Sequence, residues 1–443
     1  MTDLLTIGTS GLRAYRDALG TTSDNISNAQ TAGFVRRTVR LAEAPGSGNM
    51  VLYRAAVSPS GVLVDGIQRS VDQWLVEDSR TSMAAAGRTS ARLQWLEASE
   101  RALDDGEDGV GQQLTAMFNA ADTLAADPSS TAWRSAFLQS VGSAADSFRR
   151  TATELKSVAD GITTDAQLAV GGVNAGIAAL QRINQGLLRA REGSTNQATL
   201  LDERDRLLDS LSEALPVSIT FNPQGAASVR VGGSSGPVLI DGPAIGVLDV
   251  AAGPTGLLSL SVSGAPVRIS SGSVSGIVSA AATVAAQRSD LDSLASQFAA
   301  GINAVHQAGI DANGNPGGPL VNFTGSAATL TAVAMTPDAV AAADASADNG
   351  NMLQFASLRA SGGVEQGWAQ MVSVHSQLVA ASRAEDSAAS TRRDGALAAR
   401  SELSSVDLDH EAAELVRFQQ AYEGAARVIQ VARDTFQSIL NAL

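Results

Sequence analysis

A serine-centred motif is the sequence feature closest to a hydrolase site. Residues Gly232–Gly236 read G-G-S-S-G and match G-x-S-x-G, in which a strand-to-helix turn lifts a serine towards a histidine base. Here two short runs of apolar and small residues flank the motif, and no helix is predicted to follow it. The context therefore predicts a hairpin turn around Ser234, and a secreted serine hydrolase that uses Ser234 is kept only as a remote alternative.

Two further stretches resemble metal sites without completing them. His410-Glu411 begins like the zinc motif H-E-x-x-H, but the second histidine is absent. We therefore predict a solvated first turn of a C-terminal helix, whose dipole favours acidic residues there. Asp311, Asn313 and Asn315 alternate as in a calcium loop, yet the closing Glu is missing. A simple turn is predicted.

The remaining titratable groups identify no catalytic centre. Carboxylate pairs such as Asp104-Asp105 and Asp202-Glu203 are predicted to lie on solvated helices. His306 and His375 stand alone on helical segments, where a histidine is ordinarily either packed or exposed. The sequence contains no phosphate-binding glycine loop. We therefore predict no enzyme, no metal site and no cofactor.

The composition argues against thiol chemistry, nucleic-acid binding and membrane insertion. The 443 residues include 31 Lys and Arg against 45 Asp and Glu, and no Cys. Without thiols there is no disulfide, thiolate metal site or cysteine nucleophile, and an acidic chain is poorly suited to nucleic acid. No apolar run is long enough for a membrane span, and charges at Arg13, Arg16 and Asp17 interrupt any signal-peptide core. We expect no membrane insertion and no cleaved signal peptide.

Both ends of the chain carry apolar heptads. Leu5, Leu12, Leu19 and Ile26 are seven residues apart, as in a coiled-coil seam. The C-terminal series alternates spacings of three and four through Leu415, Phe418, Tyr422, Ala425, Ile429, Ala432, Phe436, Ile439 and Leu443. Each stripe needs a partner to be buried. The two ends pair with each other, pair with neighbouring copies, or form ordinary buried helices.

Between the ends, helical periodicity dominates. The fold class predicted is mainly α with a small inserted β domain, arranged as an elongated helical-bundle rod whose coiled-coil terminal helices pair N- and C-terminus. The segments are 1–70, a seam helix, Asn/Gly turn and extended chain; 71–215, a long helical stem; 216–273, the β domain; 274–401, returning helices with a loop at 309–350; and 402–443, the C-terminal coiled-coil helix.

Two distant motifs resemble one family. Residues 24–36, DNISNAQTAGFVR, resemble the N-terminal signature of bacterial flagellar axial proteins, which include rod, hook and hook-associated proteins, and ELVRFQQAYEGAARVIQVARDTFQSILNAL resembles their C-terminal end. In the signature, Asn residues suit capping or turning and a glycine permits backbone reversal. The signature turn comprises Asn25, Asn28, Thr31, Gly33, Phe34 and Arg36. Ala32 departs from the family pattern, where a proline is common.

The long helical stem distinguishes subfamilies. Rod and hook proteins pass from the signature almost directly into β structure, whereas about 140 residues here are predicted helical. GVLVDGIQRSVDQWLVEDSR and LLDERDRLLDSLSEAL are similar to hook-associated proteins. Larger members carry a second outer β domain, for which this chain has little room.

The resemblance implies a structural subunit of the flagellum. It would form the ring that joins hook to filament after type III export, located outside the cell, through packing of its terminal helices. Implied partners are copies of itself, the hook protein, the second hook-associated junction protein, the filament cap protein during assembly, and an export chaperone that binds near the C-terminus. The alternative within the family is another axial protein, either the second junction protein or a hook or rod subunit.

Overall fold

The structure is a computed structural model that describes residues 2–44, 61–359 and 362–442. Within these residues helices dominate, and the strands are short. The helices are α1 (Thr2–Asn28), α2 (Gln73–Ala102), α3 (Val110–Ala126), α4 (Thr131–Leu187), α5 (Thr195–Ala214), α6 (Ser273–Ala308), α7 (Gly350–Gln354), α8 (Val364–Ser404) and α9 (Leu408–Ala442). The prediction of a mainly α fold with a small β insertion is confirmed.

The strands form small antiparallel sheets. They are β1 (Arg37–Glu43), β2 (Val62–Arg69), β3 (Val217–Phe221), β4 (Ala227–Val231), β5 (Val238–Asp241), β6 (Ala244–Ile245), β7 (Leu248–Ala252), β8 (Leu258–Val262), β9 (Ala265–Val267), β10 (Val321–Asn322) and β11 (Thr331–Ala332). The sheet orders are β1-β2, β3-β4-β5-β6, β7-β8-β9 and β10-β11.

The chain divides into two compact units. The terminal unit contains Met1–Ala84, Val173–Val247 and Ser390–Leu443, and the central unit contains Ala85–Gly172 and Leu248–Ala389. Strands β3–β6 belong to the first and β7–β9 to the second. The inserted β region at 216–273 is therefore shared between the units.

In the terminal unit, the β1-β2 pair follows α1 after the turn at residues 29–36. Arg37 pairs with Arg69 at one end, and the register shifts between Arg40 and Leu41. A bulge of this kind adds one unpaired residue and bends the strand. Strand β2 lies inside the extended chain predicted within residues 1–70. Part of the extended chain predicted after α1, residues 45–60, lies outside the described residues.

The central unit is built around an apolar core from α3, α4, α6 and the segments 320–355 and 364–368. Phe148 stacks on Phe298 with ring centroids 5.5 Å apart, and Phe137 meets Phe355 edge-on at 5.4 Å. Both geometries are favoured by aromatic quadrupoles. Phe137 and Phe148 lie within the helical stem predicted at 71–215, and both are core positions.

Two histidines are buried in the central unit. Nε2 of His306 accepts a hydrogen bond from the amide of Ala341 at 2.9 Å, so Nδ1 carries the proton and donates to the Gly318 carbonyl at 2.6 Å. His375 lies beside Gln287, with 2.7 Å between Nδ1 and Nε2 of the amide. Burial lowers the pKa of both imidazoles. The two histidines are packed, which was one of the two readings expected.

The weak chemical motifs of the central loop and the small sheet adopt the predicted turns. Asp311 Oδ1 accepts from the amides of Asn313 and Asn315, both at 2.8 Å, which is an Asx-type turn. Ser234 is exposed on the turn between β4 and β5, where Gly232 has φ 78°. Both stretches are therefore turns, as predicted.

Candidate assembly site

The two ends of the chain meet in the terminal unit, where α1 and α9 pack against each other in antiparallel directions. Gly8 lies against Ile429, and Gly11 lies against Ala425, such that a Cβ at Gly11 would be 3.3 Å from the Ala425 Cβ. A Cβ at Gly8 would approach Ile429 Cγ1 to 2.6 Å. The missing side chains let the two helices approach closely.

The buried face of α1 consists of small side chains. It comprises Gly8, Gly11, Ala14, Ala18, Thr21, Thr22 and Asn25. The predicted seam residues Leu5, Leu12, Leu19 and Ile26 are each half-buried and border this face. Sequence reasoning chose the large residues because apolar size normally marks a seam. The signal for the small face is the spacing of three and four from Gly8 to Ala18.

On α9 the predicted seam changes exposure along its length. Leu415, Phe418, Tyr422 and Ile429 are half-buried, and Ala432 is buried. Phe436 is 52% exposed and Ile439 is 41% exposed. Leu443 lies outside the described residues.

The antiparallel geometry explains this change. Gly11 is opposite Ala425, and Asn25 contacts Glu411. Each residue further along α1 is therefore opposite a residue one position earlier on α9. Thr2, where α1 begins, therefore falls opposite about residue 434. The last turns of α9 extend beyond that point, and we call residues 435–442 the overhang. Its apolar side chains Phe436, Ile439 and Leu440 are exposed.

The signature turn links α1 to β1 through Asn25. Its Nδ2 donates to the Arg37 carbonyl at 2.8 Å, and its Oδ1 accepts from the Arg37 amide at 3.0 Å. The side chain thus satisfies both backbone groups of Arg37, as a neighbouring strand would. This bridging role differs from the capping or turning role predicted for Asn25.

The other signature residues shape the turn itself. Nδ2 of Asn28 donates to the Asp24 carbonyl at 2.9 Å, and the Thr31 amide donates to the Asn28 carbonyl at 2.9 Å. Gly33 has φ 75°, a conformation that glycine adopts without a Cβ penalty. The Phe34 ring lies 4.7 Å from the Arg37 guanidinium, within cation–π distance.

Glu411 joins the signature turn to the C-terminal helix. Only 1% of its surface is exposed, and its two carboxylate oxygens accept from Asn25 Nδ2 at 3.0 Å and Arg36 Nε at 2.7 Å. The prediction of a solvated first helical turn is wrong for Glu411, although His410 is exposed. The helix dipole explains why an acidic residue is favoured in the first turn of α9. It does not indicate which face of the helix is buried. Asn25, Arg36 and Glu411 are called the register contact below.

A second group of charges lies on one face of α5. Asp202, Asp205 and Asp209 are spaced by three and four residues, so they line one side of the helix. Their arginine partners come from β1, β2, α2, α5 and α8, and are Arg37, Arg69, Arg80, Arg204 and Arg400. We call these eight residues the arginine–aspartate network.

Asp202 pairs closely with two arginines of the network. Its Oδ2 accepts from Arg37 Nη2 at 2.6 Å, and its Oδ1 accepts from Arg69 Nε at 2.7 Å. Arg37 also donates to Asp24 of α1 at 2.9 Å. Asp202 is buried, so the prediction that Asp202-Glu203 lies on a solvated helix face is wrong for Asp202. The missed signal was an acidic stripe in register with the buried Ala198.

The network continues from Asp205 to Asp209 and to α8. Arg69 Nη2 donates to Asp205 at 2.8 Å, Arg80 Nε to Asp209 at 2.7 Å, and Arg400 Nη1 lies 2.9 Å from Asp209. Burial raises the pKa of Asp205, but neighbouring Arg204, Arg69 and Arg80 outweigh it and hold this pKa below its ordinary value. Burial lowers the pKa of Arg204, yet an arginine remains protonated at neutral pH.

The register contact and the arginine–aspartate network stabilise the fold. Buried charges lose the favourable interaction with water, and close, directional pairing offsets that loss. Removing one partner is therefore costly to stability.

In residues 2–44, 61–359 and 362–442 no cluster of three or more His, Asp or Glu has metal-binding geometry. None of the helices over the same residues combines the length and apolarity that crossing a membrane requires.

Comparisons with known protein families give matches to two parts of the chain. Residues 96–321, just over half of the chain, match the family described as flagellar hook-associated protein FlgK helical domain. Residues 397–442 match the family described as flagellar basal body rod FlgEFG protein C-terminal. Both are families of structural proteins of the bacterial flagellum. The chain belongs to the flagellar hook-associated protein FlgK family, which is not an enzyme family.

Characterised relatives have the same description. The chain is 24% identical to flagellar hook-associated protein 1 of Bacillus subtilis, over 98% of this chain and 96% of that protein. It is 25% identical to the Escherichia coli protein of the same name, over 72% of this chain and 59% of the relative. The structure of the flagellar hook junction protein FlgK from Burkholderia pseudomallei aligns with a TM-score of 0.50 at 19% identity, over 56% of this chain and 46% of that one. That likeness concerns the fold.

Proposed function

We propose that this flagellar protein is the subunit of a ring that joins hook to filament, and that its terminal helices build the contacts between subunits. The observation that carries the proposal is the α1–α9 pair, which leaves Phe436, Ile439 and Leu440 of the overhang exposed. A contiguous exposed apolar surface on a folded protein marks an interaction site. The seam residues Leu5, Leu12, Leu19 and Ile26 border the same pair and belong to the proposed interface.

The proposed route to this location is type III export without signal cleavage, followed by assembly outside the cell. A chain without Cys forms no disulfide before or after passage. Proposed partners are further copies of the chain, the hook protein, the second junction protein and the filament cap protein, with an export chaperone acting near the C-terminus. The name of the Burkholderia pseudomallei protein, a hook junction protein, supports this placement.

The test removes the apolar side chains of the overhang without touching the α1–α9 contact. The triple variant Phe436→Ser, Ile439→Ser, Leu440→Ser is expressed in a strain that lacks the native gene, and hooks and filaments are examined by electron microscopy. We expect folded, exported protein that fails to join hook tips, with filament subunits lost to the medium. Normal filaments in this strain would contradict the proposal.

The matched control changes an exposed apolar residue elsewhere. Leu168 of α4 is 71% exposed, and Leu168→Ser removes exposed apolar surface outside the α1–α9 pair. We expect this strain to assemble normal filaments. If both variants lose filaments, the effect is not specific to the overhang, and the assignment of the interface to α9 fails.

A further inference from the structure

The heptad pattern of the terminal helices does not by itself fix their register. Apolar residues recur on α9 at the same spacing from Leu415 to Ile439, so a shift of one heptad keeps apolar side chains facing α1. After such a shift, Gly11 would lie opposite Ala432 in place of Ala425. The antiparallel direction and the small side chain opposite Gly11 would be unchanged, whereas Gly8 would meet Phe436 in place of Ile429.

The shifted register would also bury more apolar surface. It would place Ile439 opposite Leu4, which is itself 47% exposed, and it would bring Phe436 against Gly8. The hydrophobic effect grows with the apolar area removed from water. Burial of the exposed apolar side chains of the overhang would therefore favour the shifted register.

The register contact opposes this shift. In the shifted register Asn25 would face Phe418, and Glu411 would lie beyond the end of α1. Asn25 and Arg36 would then lose the carboxylate that they now share at 3.0 and 2.7 Å. A buried polar or charged group left without its partner is strongly unfavourable. Buried polar contacts of this kind are known to fix register in helix pairs.

We infer that Asn25, Arg36 and Glu411 select the register of α1 on α9, and so keep the overhang uncovered. The contact holds both ends of the chain, because the Arg36 amide also donates to the Ser404 carbonyl at 2.9 Å and the Ser70 amide donates to the Arg36 carbonyl at 2.9 Å. The register is thereby tied to the start of β1 and to the end of α8. The use of the overhang in assembly rests on the proposed function, whereas the register itself does not.

Disulfide trapping in the purified full-length chain tests the register. The chain has no Cys, so introduced thiols report unambiguously. Gly11→Cys with Ala425→Cys reports the observed register, because these Cβ atoms lie near disulfide distance. Gly11→Cys with Ala432→Cys reports the shifted one, since seven residues of helix separate the two positions by about 10 Å.

Glu411→Gln is introduced into both pairs, and Glu423→Gln serves as the control because Glu423 is exposed on the same helix. We expect the chain with Glu411 to form the 11–425 bond alone. Glu411→Gln should raise the ratio of 11–432 to 11–425 bonds by about tenfold or more, the ratio that 1.4 kcal/mol produces. Glu423→Gln should leave the ratio unchanged.

Three outcomes would overturn the inference. The Glu411→Gln chain could keep the exclusive 11–425 bond, the chain with Glu411 could form both bonds equally, or Glu411→Gln could abolish both bonds together with helical circular dichroism. The last result would make the contact a requirement for folding and not for register. Because no assembly is needed, failure here is separate from failure of the proposed function, which is read from hooks and filaments.

Discussion

The two compact units are stabilised by different chemistry. The terminal unit contains the arginine–aspartate network, in which Asp202 is buried between Arg37 and Arg69. The central unit contains stacked and edge-on aromatic pairs with two neutral histidines. Apolar packing tolerates exchange of similar shapes, whereas paired charges demand particular partners. The unit that holds both chain ends is thus the one whose contacts are most specific.

The largest effect is expected from a cavity in the central unit. Phe298→Ala removes the ring that stacks on Phe148 and should reduce the free energy of unfolding by about 3–5 kcal/mol. Denaturant unfolding followed by circular dichroism measures the change. Because the contact is apolar, the loss should be the same at low and high salt. A strong salt dependence would show that charge also stabilises this core.

A comparable but smaller effect is expected from the network. Asp202→Asn leaves Arg37 and Arg69 buried beside a neutral amide and should reduce the free energy of unfolding by about 3 kcal/mol. Asp160→Asn is the control, since the Lys156–Asp160 pair is exposed and such pairs contribute about 0–1 kcal/mol. Equal effects for the two variants would contradict a structural role for the network.

The contrast between the units also decided what the sequence could predict. The core stripes of α3, α4 and α6 follow from helical spacing, because apolar residues at such spacing are buried in most folds. Asp202 and Glu411 were predicted as solvated, since charge normally marks a surface. Their burial depends on arginines that are distant in sequence. Arg37 is 165 residues from Asp202, and Arg36 is 375 residues from Glu411.

The terminal helices show an intermediate case. Pairing of the two ends was one of the alternatives left open, and it is the arrangement observed. The residues predicted to form the α1 seam are not the most buried ones. Gly8 and Gly11 are buried against α9, whereas Leu5 and Leu12 are half-buried. Spacing indicates which positions share a face. How closely two helices approach depends on the size of both partners and cannot be obtained from one of them.

The units should also differ in their response to acid. In the folded central unit the pKa of His306 is lowered by burial, so its stabilising contribution is present above pH about 6.5 and is lost as pH falls below that value. The pKa of Asp205 is also lowered, and its contribution is lost only below pH about 4. Between these values the central unit should loosen first.

Hydrogen exchange resolves that order. Mass spectrometry of the peptide containing Ala341, whose amide donates to His306, should show faster exchange at pH 5 than at pH 7 after correction for the intrinsic rate. Peptides around Arg37 and Asp202 should keep their protection. His306→Gln, which does not titrate, should remove the pH dependence at Ala341. If the peptides around Arg37 lost protection before the peptide containing Ala341, the terminal unit would be the more acid-sensitive one, and the prediction would be wrong.

The smallest effect is expected from replacing a glycine of positive φ by alanine, which tests whether backbone conformation or side-chain packing limits the substitution. Gly33 in the terminal unit and Gly314 in the central unit have φ of 75° and 81°, so an alanine at either position should cost about 1 kcal/mol. At Gly314 nothing lies within 4 Å of an added Cβ, whereas at Gly33 it would be 2.5 Å from Arg206 Cδ. Arg206 is long and flexible and can move away. The two variants should therefore differ by less than about 1 kcal/mol in chemical denaturation, and a much larger loss for Gly33→Ala would show that Arg206 is held in place beside the signature turn.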